Sequence, residues 1–225
     1  MTDLWKASVA LTRDPAFGLK VARHVRPSTF HVIGYAMACS ETLTRATERF
    51  ARSARLVSDS ARVSFTRQRD GYLLTMDLNT GGARPIYQTL DTMLAGYLLL
   101  CEWIIDGPLV PHEVRFVHAR PADETEYTAV FRCPIHYGQR QNSLLFRHAD
   151  LDQRVPAANE ELAMLLDEVA SRHLASRYEQ RFSRQVRDAL ATQLPHGQPS
   201  KAATARALLA VGPEKGAHAV PSLAK

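Results

Sequence analysis

Nine histidines and three cysteines are the residues of this 225-residue chain best able to do chemistry. Their spacing argues against most of it. No HxxxH or HExxH run occurs, so no helix turn presents two imidazoles to a metal. His112, His118, His136 and His148 can approach one another only across a sheet, where scattered histidines are ordinary strand residues. Cys39, Cys101 and Cys133 lie far apart in apolar surroundings; an odd count without CxxC spacing fits neither a disulfide framework nor a zinc site, and suits a reducing cytoplasm. Cys101 falls in an apolar helical stretch, where a thiol is inert. There is no GxSxG and no phosphate-cradling glycine loop, and Gly81-Gly82 alone is a turn. The expectation is no catalytic residue, no metal, no cofactor, and a chain that is not an enzyme.

Binding chemistry is better represented. The alternations Val63-Phe65-Arg67 and Val114-Phe116-His118 each place a polar group on an apolar strand face. Tyr127 reads as sharing a strand face with Ala129 and Phe131, and His136 follows a Pro134 break. Two readings of Arg67, His118, Tyr127 and His136 stay open. They line a ligand pocket, with Arg67 holding a carboxylate, or they sit at strand ends and reach solvent.

The elements that would position these groups follow from periodicity. Helical spacing runs through the first third, with Asp14-Pro15 opening one segment and Ser40 capping another over about 41–56. In that segment Leu43, Ala46, Thr47, Phe50 and Ala54 form the apolar stripe, and Arg45, Arg49, Arg52 and Arg55 read as a solvated face. Two alternating runs joined by Asp70-Gly71 predict a hairpin. A helix over about 86–105 is apolar nearly all round and should be buried; Asp106-Gly107-Pro108 ends it, with Gly107 suited to the left-handed cap. Strand signals return at 114–118, 127–133, 135–137 and 144–146. A long helix over about 159–194 carries Leu162, Leu166, Val169 and Leu174, then Tyr178, Phe182, Val186 and Leu190 at four-residue steps. The first half is expected to pack on its own domain; the second packs likewise or forms a dimer seam. The order predicts an α+β fold, helices on a mostly antiparallel sheet followed by a long linker helix. The domains expected are 1–157, the long helix 158–195, and a tail 196–225.

Charge narrows the partners. Lys201, Arg206, Lys215 and Lys225 against Glu214 give residues 196–225 a net +3. Of the chain's +5, that leaves +2 for residues 1–195, too little to mark a duplex-binding face. The longest apolar run, 93–101, is too short to span a membrane, which needs about 20 residues.

Several stretches together resemble the N-terminal sensing domain of AraC-family regulators of the arabinose-binding-domain type. They are TRDPAFGLK (12–20), IGYAMACSETLTRA (33–46), VRFVHARP (114–121) and EYTAVFRCPIHYGQRQNSLLF (126–146), matched in order and spacing over residues 10 to 195. The family name does not make arabinose the ligand. The resemblance implies a domain that senses a small-molecule effector for transcriptional control, in the cytoplasm, as a homodimer or paired with an intact regulator. In such regulators the long helix leads into two helix-turn-helix units. SKAATARALL (200–209) resembles the first helix of the first unit; the sequence then departs through AVGPEKG (210–216), where Gly212-Pro213 and Gly216 oppose any helix. The reading is a helix-turn-helix remnant from a truncated or frameshifted gene, with DNA binding by this chain alone not expected. The alternatives are an interaction protein that pairs with and modulates an intact regulator, and a small-molecule enzyme.

Overall fold

The computed structural model describes residues 2–81, 85–194, 200–202 and 204–206. Residues 1–174 form one compact unit and 175–225 a second.

The first unit opens with helices α1 (Thr2–Thr12), α2 (Phe17–Ala22), a 3-10 turn at Pro27–Phe30, α3 (His31–Ala38) and α4 (Leu43–Ser53). The cap of α4 is Thr42, not Ser40: its side chain accepts from the Arg45 amide. Hairpin strands β1 (Ala61–Gln68) and β2 (Gly71–Leu78) come next, then α5 (Tyr87–Ile105), β3 (Glu113–Arg115), α6 (Thr125–Phe131), β4 (Ile135–His136), β5 (Asn142–Phe146) and α7 (His148–Leu151). The last element, α8, spans Glu160–Gln193. The five strands form one sheet in the order β1-β2-β5-β3-β4, antiparallel except for the β3–β4 edge pair. The α+β architecture expected from the sequence is the one found.

Strand alternation separates two faces. Tyr72, Leu74 and Met76 of β2, Leu144 and Phe146 of β5, and Val114 and Phe116 belong to the core, on which α4 and α5 pack. The opposite face carries a polar row fixed by register: Ser64 beside Thr75, Thr75 beside Ser143, Ser143 beside Arg115, and Arg115 beside His136. Helix α5 is central, with Leu94, Ala95, Tyr97, Leu98, Leu100 and Cys101 wholly buried, although Trp103 is about half exposed (52%). Burial pushes the Cys101 thiol up to about 12.

Four further local expectations are corrected. The 127–133 stretch is helical as far as Phe131, within α6, despite its β-branched and aromatic residues. Tyr127, Val130 and Phe131 are buried at helical spacing while Ala129 is exposed; Asp123 turns the chain inward by accepting from the Thr125 amide, and Arg132 ends the helix at φ 54°. The left-handed cap of α5 falls on Asp106 (φ 50°), one residue earlier than Gly107. In the hairpin, Gly71 is paired with Gln68, so Arg69 and Asp70 make the turn. Gly71 is needed for close approach: a Cβ there would lie 1.9 Å from the Phe146 carbonyl oxygen. Gly71→Ala is expected to cost about 3 kcal/mol by forcing β2 away from β5, measured as a lower urea midpoint at unchanged slope.

The fourth correction concerns Arg49. It is buried (6% exposed) and does not belong to a solvated face. Its guanidinium donates to Ser40 Oγ (2.9 Å), Glu160 Oε1 (2.5 Å) and Asp167 Oδ2 (2.9 Å), and Arg52 adds a second cation to Asp167 at 3.2 Å. These bonds fasten the first turns of α8 to α4. The apolar seam there uses the small residues Ala163 and Ala170, both buried, with Leu174 against the core, whereas Leu162, Met164 and Leu165 are exposed. Burial opposes the Arg49 charge, but its two carboxylate partners outweigh that and leave its pKa raised; Arg49 in turn lowers that of Glu160.

In the second unit, Tyr178 and Phe182 are exposed and Val186 and Leu190 half-buried. Residues 201–202 and 204–206 are helical. The rest of the 200–209 motif and the departure at 210–216 lie outside the described residues. Among the described residues no helix is long and apolar enough to cross a membrane.

Candidate functional site

The most concentrated chemistry lies where α5, α6 and the segment after β3 meet. Asp91, on the buried face of α5, is wholly inaccessible. Its Oδ2 accepts from the Tyr127 hydroxyl at 2.7 Å, and its Oδ1 lies 3.1 Å from His118 Nε2. The other imidazole nitrogen, Nδ1, is 2.8 Å from the Ala119 carbonyl oxygen. A carbonyl only accepts, so Nδ1 carries hydrogen. The Nε2–Oδ1 contact therefore needs a second proton, held by the imidazole or by the carboxyl. Without it, two lone pairs would face each other.

Electrostatics agree with that assignment. Burial raises the Asp91 carboxyl pKa, and the bonds from His118 and Tyr127 oppose this without cancelling it. Burial alone would lower His118, yet the Asp91 hydrogen bond and charge together leave it raised. The two titrate as one unit that keeps a proton longer than a free imidazole would. Burial, then the Asp91 charge, holds the Tyr127 phenol protonated by raising its pKa.

Aromatic rings enclose the network. His118 is 4.8 Å from the Tyr87 ring, 4.9 Å from Phe116 and 5.5 Å from Tyr137, centroid to centroid, and Phe116 stacks on Tyr137 at 5.8 Å. Tyr137 also opens outward. With Arg120, His136 and Gln139 it lines a surface cleft of about 440 Å³, within the range of small-molecule sites. The Arg120 guanidinium lies over the Tyr137 ring, 5.7 Å from its centroid, and pairs with Glu124 at 3.0 Å. Among the described residues the buried Tyr137 hydroxyl has no hydrogen-bond partner, nor has Gln88 Oε1 one turn before Asp91.

Of the four residues singled out in the sequence, His118 and Tyr127 meet on Asp91. His136 lines the adjoining cleft and sits 3.3 Å from Glu113. Arg67 stands apart, exposed near the hairpin tip opposite Tyr72. Sequence reasoning missed Asp91, Tyr137 and Arg120. The available signal was a single carboxyl between Leu90 and Leu94 in a largely apolar helix. Among the described residues, no three histidine, cysteine, aspartate or glutamate side chains gather as metal ligands.

Residues 1–155 match the model of the N-terminal arabinose-binding domain of AraC transcription regulators. The chain belongs to that family. It is thus an effector-binding type of regulatory domain. The AraC-type fold is also similar to the crystal structure of the transcriptional regulator CdpR from Pseudomonas aeruginosa. The TM-score is 0.62 and the identity 22%, over 92% of this chain and 68% of that one. At that identity the likeness speaks for fold alone. No curated protein matches the sequence. In this AraC-type chain, the matched region ends a few residues before α8 begins, so the Arg49 bonds tie the family domain to the helix that follows it.

Proposed function

We propose that this chain senses a small-molecule effector for an AraC-type transcription regulator, with the effector seated in the Arg120–His136–Tyr137 cleft. One observation carries the reading. Tyr137 is both a wall of the cleft and a member of the ring cluster around His118, Asp91 and Tyr127. A molecule that displaced this ring, or bonded its unpartnered hydroxyl, would shift the packing of α5 and α6. Through the core that change reaches α4 and the Arg49 bonds to α8, favouring one packing of the sheet unit against the start of the long helix.

The stripe Tyr178, Phe182, Val186 and Leu190 is proposed to pair with a second copy of this chain or with an intact regulator. The exposure of Tyr178 and Phe182 supports that role. Sedimentation of the chain alone and mixed with an intact regulator separates the two partners.

The sensing test is thermal unfolding of the whole chain across a panel of small carboxylates, amines and aromatic acids. At a hundredfold excess over Kd, a specific binder stabilises by about 2.7 kcal/mol. That corresponds to roughly 5–10 °C for a chain of this size. The shift is expected to vanish in Tyr137→Ala and shrink in Arg120→Ala. An undiminished shift in both variants would place the effector elsewhere.

A further inference from the structure

A second depression lies on the polar outer face of the sheet and includes none of the residues of the sensing cleft. It holds about 390 Å³ and is lined by Arg62, Ser64, Thr75, Asp77, Arg140 and Gln141, with Val63, Met76 and Val117 as its apolar wall. Register puts Arg62 beside Asp77, Val63 beside Met76 and Ser64 beside Thr75, so two of the three cross-strand pairs in its lining are polar. Its charges are two guanidiniums against one carboxylate, and that carboxylate already accepts from the Leu78 amide. Among the described residues, Arg140 makes no hydrogen bond or ion pair. Its five N–H donors are therefore free for a ligand.

The hydroxyls of the floor point the same way. Ser64 and Thr75 hydrogen-bond to each other across the strands. Next in the row stands Ser143, opposite Thr75, only 1% exposed and with no partner for its hydroxyl among the described residues. A buried hydroxyl without a bond is costly, so the free chain leaves this row incomplete. If a ligand oxygen took over Ser64, the Thr75 hydroxyl would be released to turn toward Ser143 and complete it.

We infer that this groove binds a small organic anion carrying hydroxyl groups, its carboxylate or phosphate held by Arg140 and its hydroxyls by Ser64, Thr75 and Gln141. Guanidinium supplies paired donors in the plane a carboxylate or phosphate needs. The site is independent of the sensing cleft and stands whether or not that cleft takes an effector.

Calorimetric titration of the whole chain at low ionic strength tests it, with gluconate and glucose 6-phosphate as probes. Inorganic phosphate and glucose serve as the bare anion and the bare polyol. At least one acidic probe is expected to bind ten times more tightly than either control. Gluconate alone would identify a carboxylate site, glucose 6-phosphate alone a phosphate site. Arg140→Gln should weaken binding tenfold or more and Thr75→Val severalfold, while Arg120→Ala in the other cleft leaves it unchanged. Three outcomes overturn the inference: no acidic probe binds at millimolar concentration, inorganic phosphate binds as well as the acidic probes, or Arg140→Gln binds as tightly as the parent chain.

Discussion

Replacing Asp91 with alanine is expected to lower the stability of the chain by about 4 kcal/mol, because removing one member of a buried, hydrogen-bonded set leaves the others unpaired. Two groups would be stranded: the Tyr127 hydroxyl, on a wholly buried residue, and His118 Nε2, on a side chain only 12% exposed. For a chain of this length that loss corresponds to a fall in Tm of roughly 10 °C. Asp91→Asn gives a different result that isolates the proton. An asparagine amide can donate to Nε2 without any titrating group, so much of the stability should return while its pH dependence changes. In the parent chain the folded pKa of His118 lies above its ordinary 6.5. The stabilisation it brings is complete below pH 6.5 and is lost as pH rises through the folded value. The raised pKa of Asp91 acts in the same direction, since the folded state again holds the proton more tightly. Urea unfolding of both proteins from pH 5 to 9 checks this. Parallel curves for the parent chain and Asp91→Asn across that range would rule out the shared proton.

The second large effect is expected at Arg49. Arg49→Ala should cost about 3 kcal/mol, the loss typical of breaking a buried ion pair by removing one partner. Its carboxylate partners are only partly covered, with Glu160 48% and Asp167 27% exposed, so they regain water once the arginine is gone. That limits the global cost and concentrates the effect at the helix contact. Hydrogen exchange of backbone amides in residues 160–174 should rise well before the amides of α5 respond. Arg49→Lys is not expected to rescue, because one ammonium cannot reach Ser40, Glu160 and Asp167 in the fork geometry that the guanidinium uses. Glu160→Gln should cost below about 1 kcal/mol, as for other half-exposed pairs. The Glu160 pKa is lowered in the fold, so its contribution is present above its ordinary 4.5 and disappears as pH falls through the folded value. If exchange in residues 160–174 is unchanged in Arg49→Ala, the alanine seam alone holds the helix.

By itself, the sequence determined features set by local chemistry and period. Alternation around Asp70-Gly71 specified the hairpin, the apolar girdle of residues 87–105 specified a buried helix, and the long helical pattern ended where α8 does to within a residue. The family resemblance was legible because it rests on ordered short motifs, which need no tertiary information. Tertiary structure decided the rest, for one physical reason: burial and partnership depend on residues far apart in the chain. Residues 127–133 have strand composition, yet packing three side chains against α2 and α5 favoured a helix. Arg49 looks like its exposed neighbours until Glu160 and Asp167, more than a hundred residues away, make it a buried cation. Asp91 is one carboxyl among apolar residues until His118 and Tyr127 arrive from two other elements and give it a proton to share.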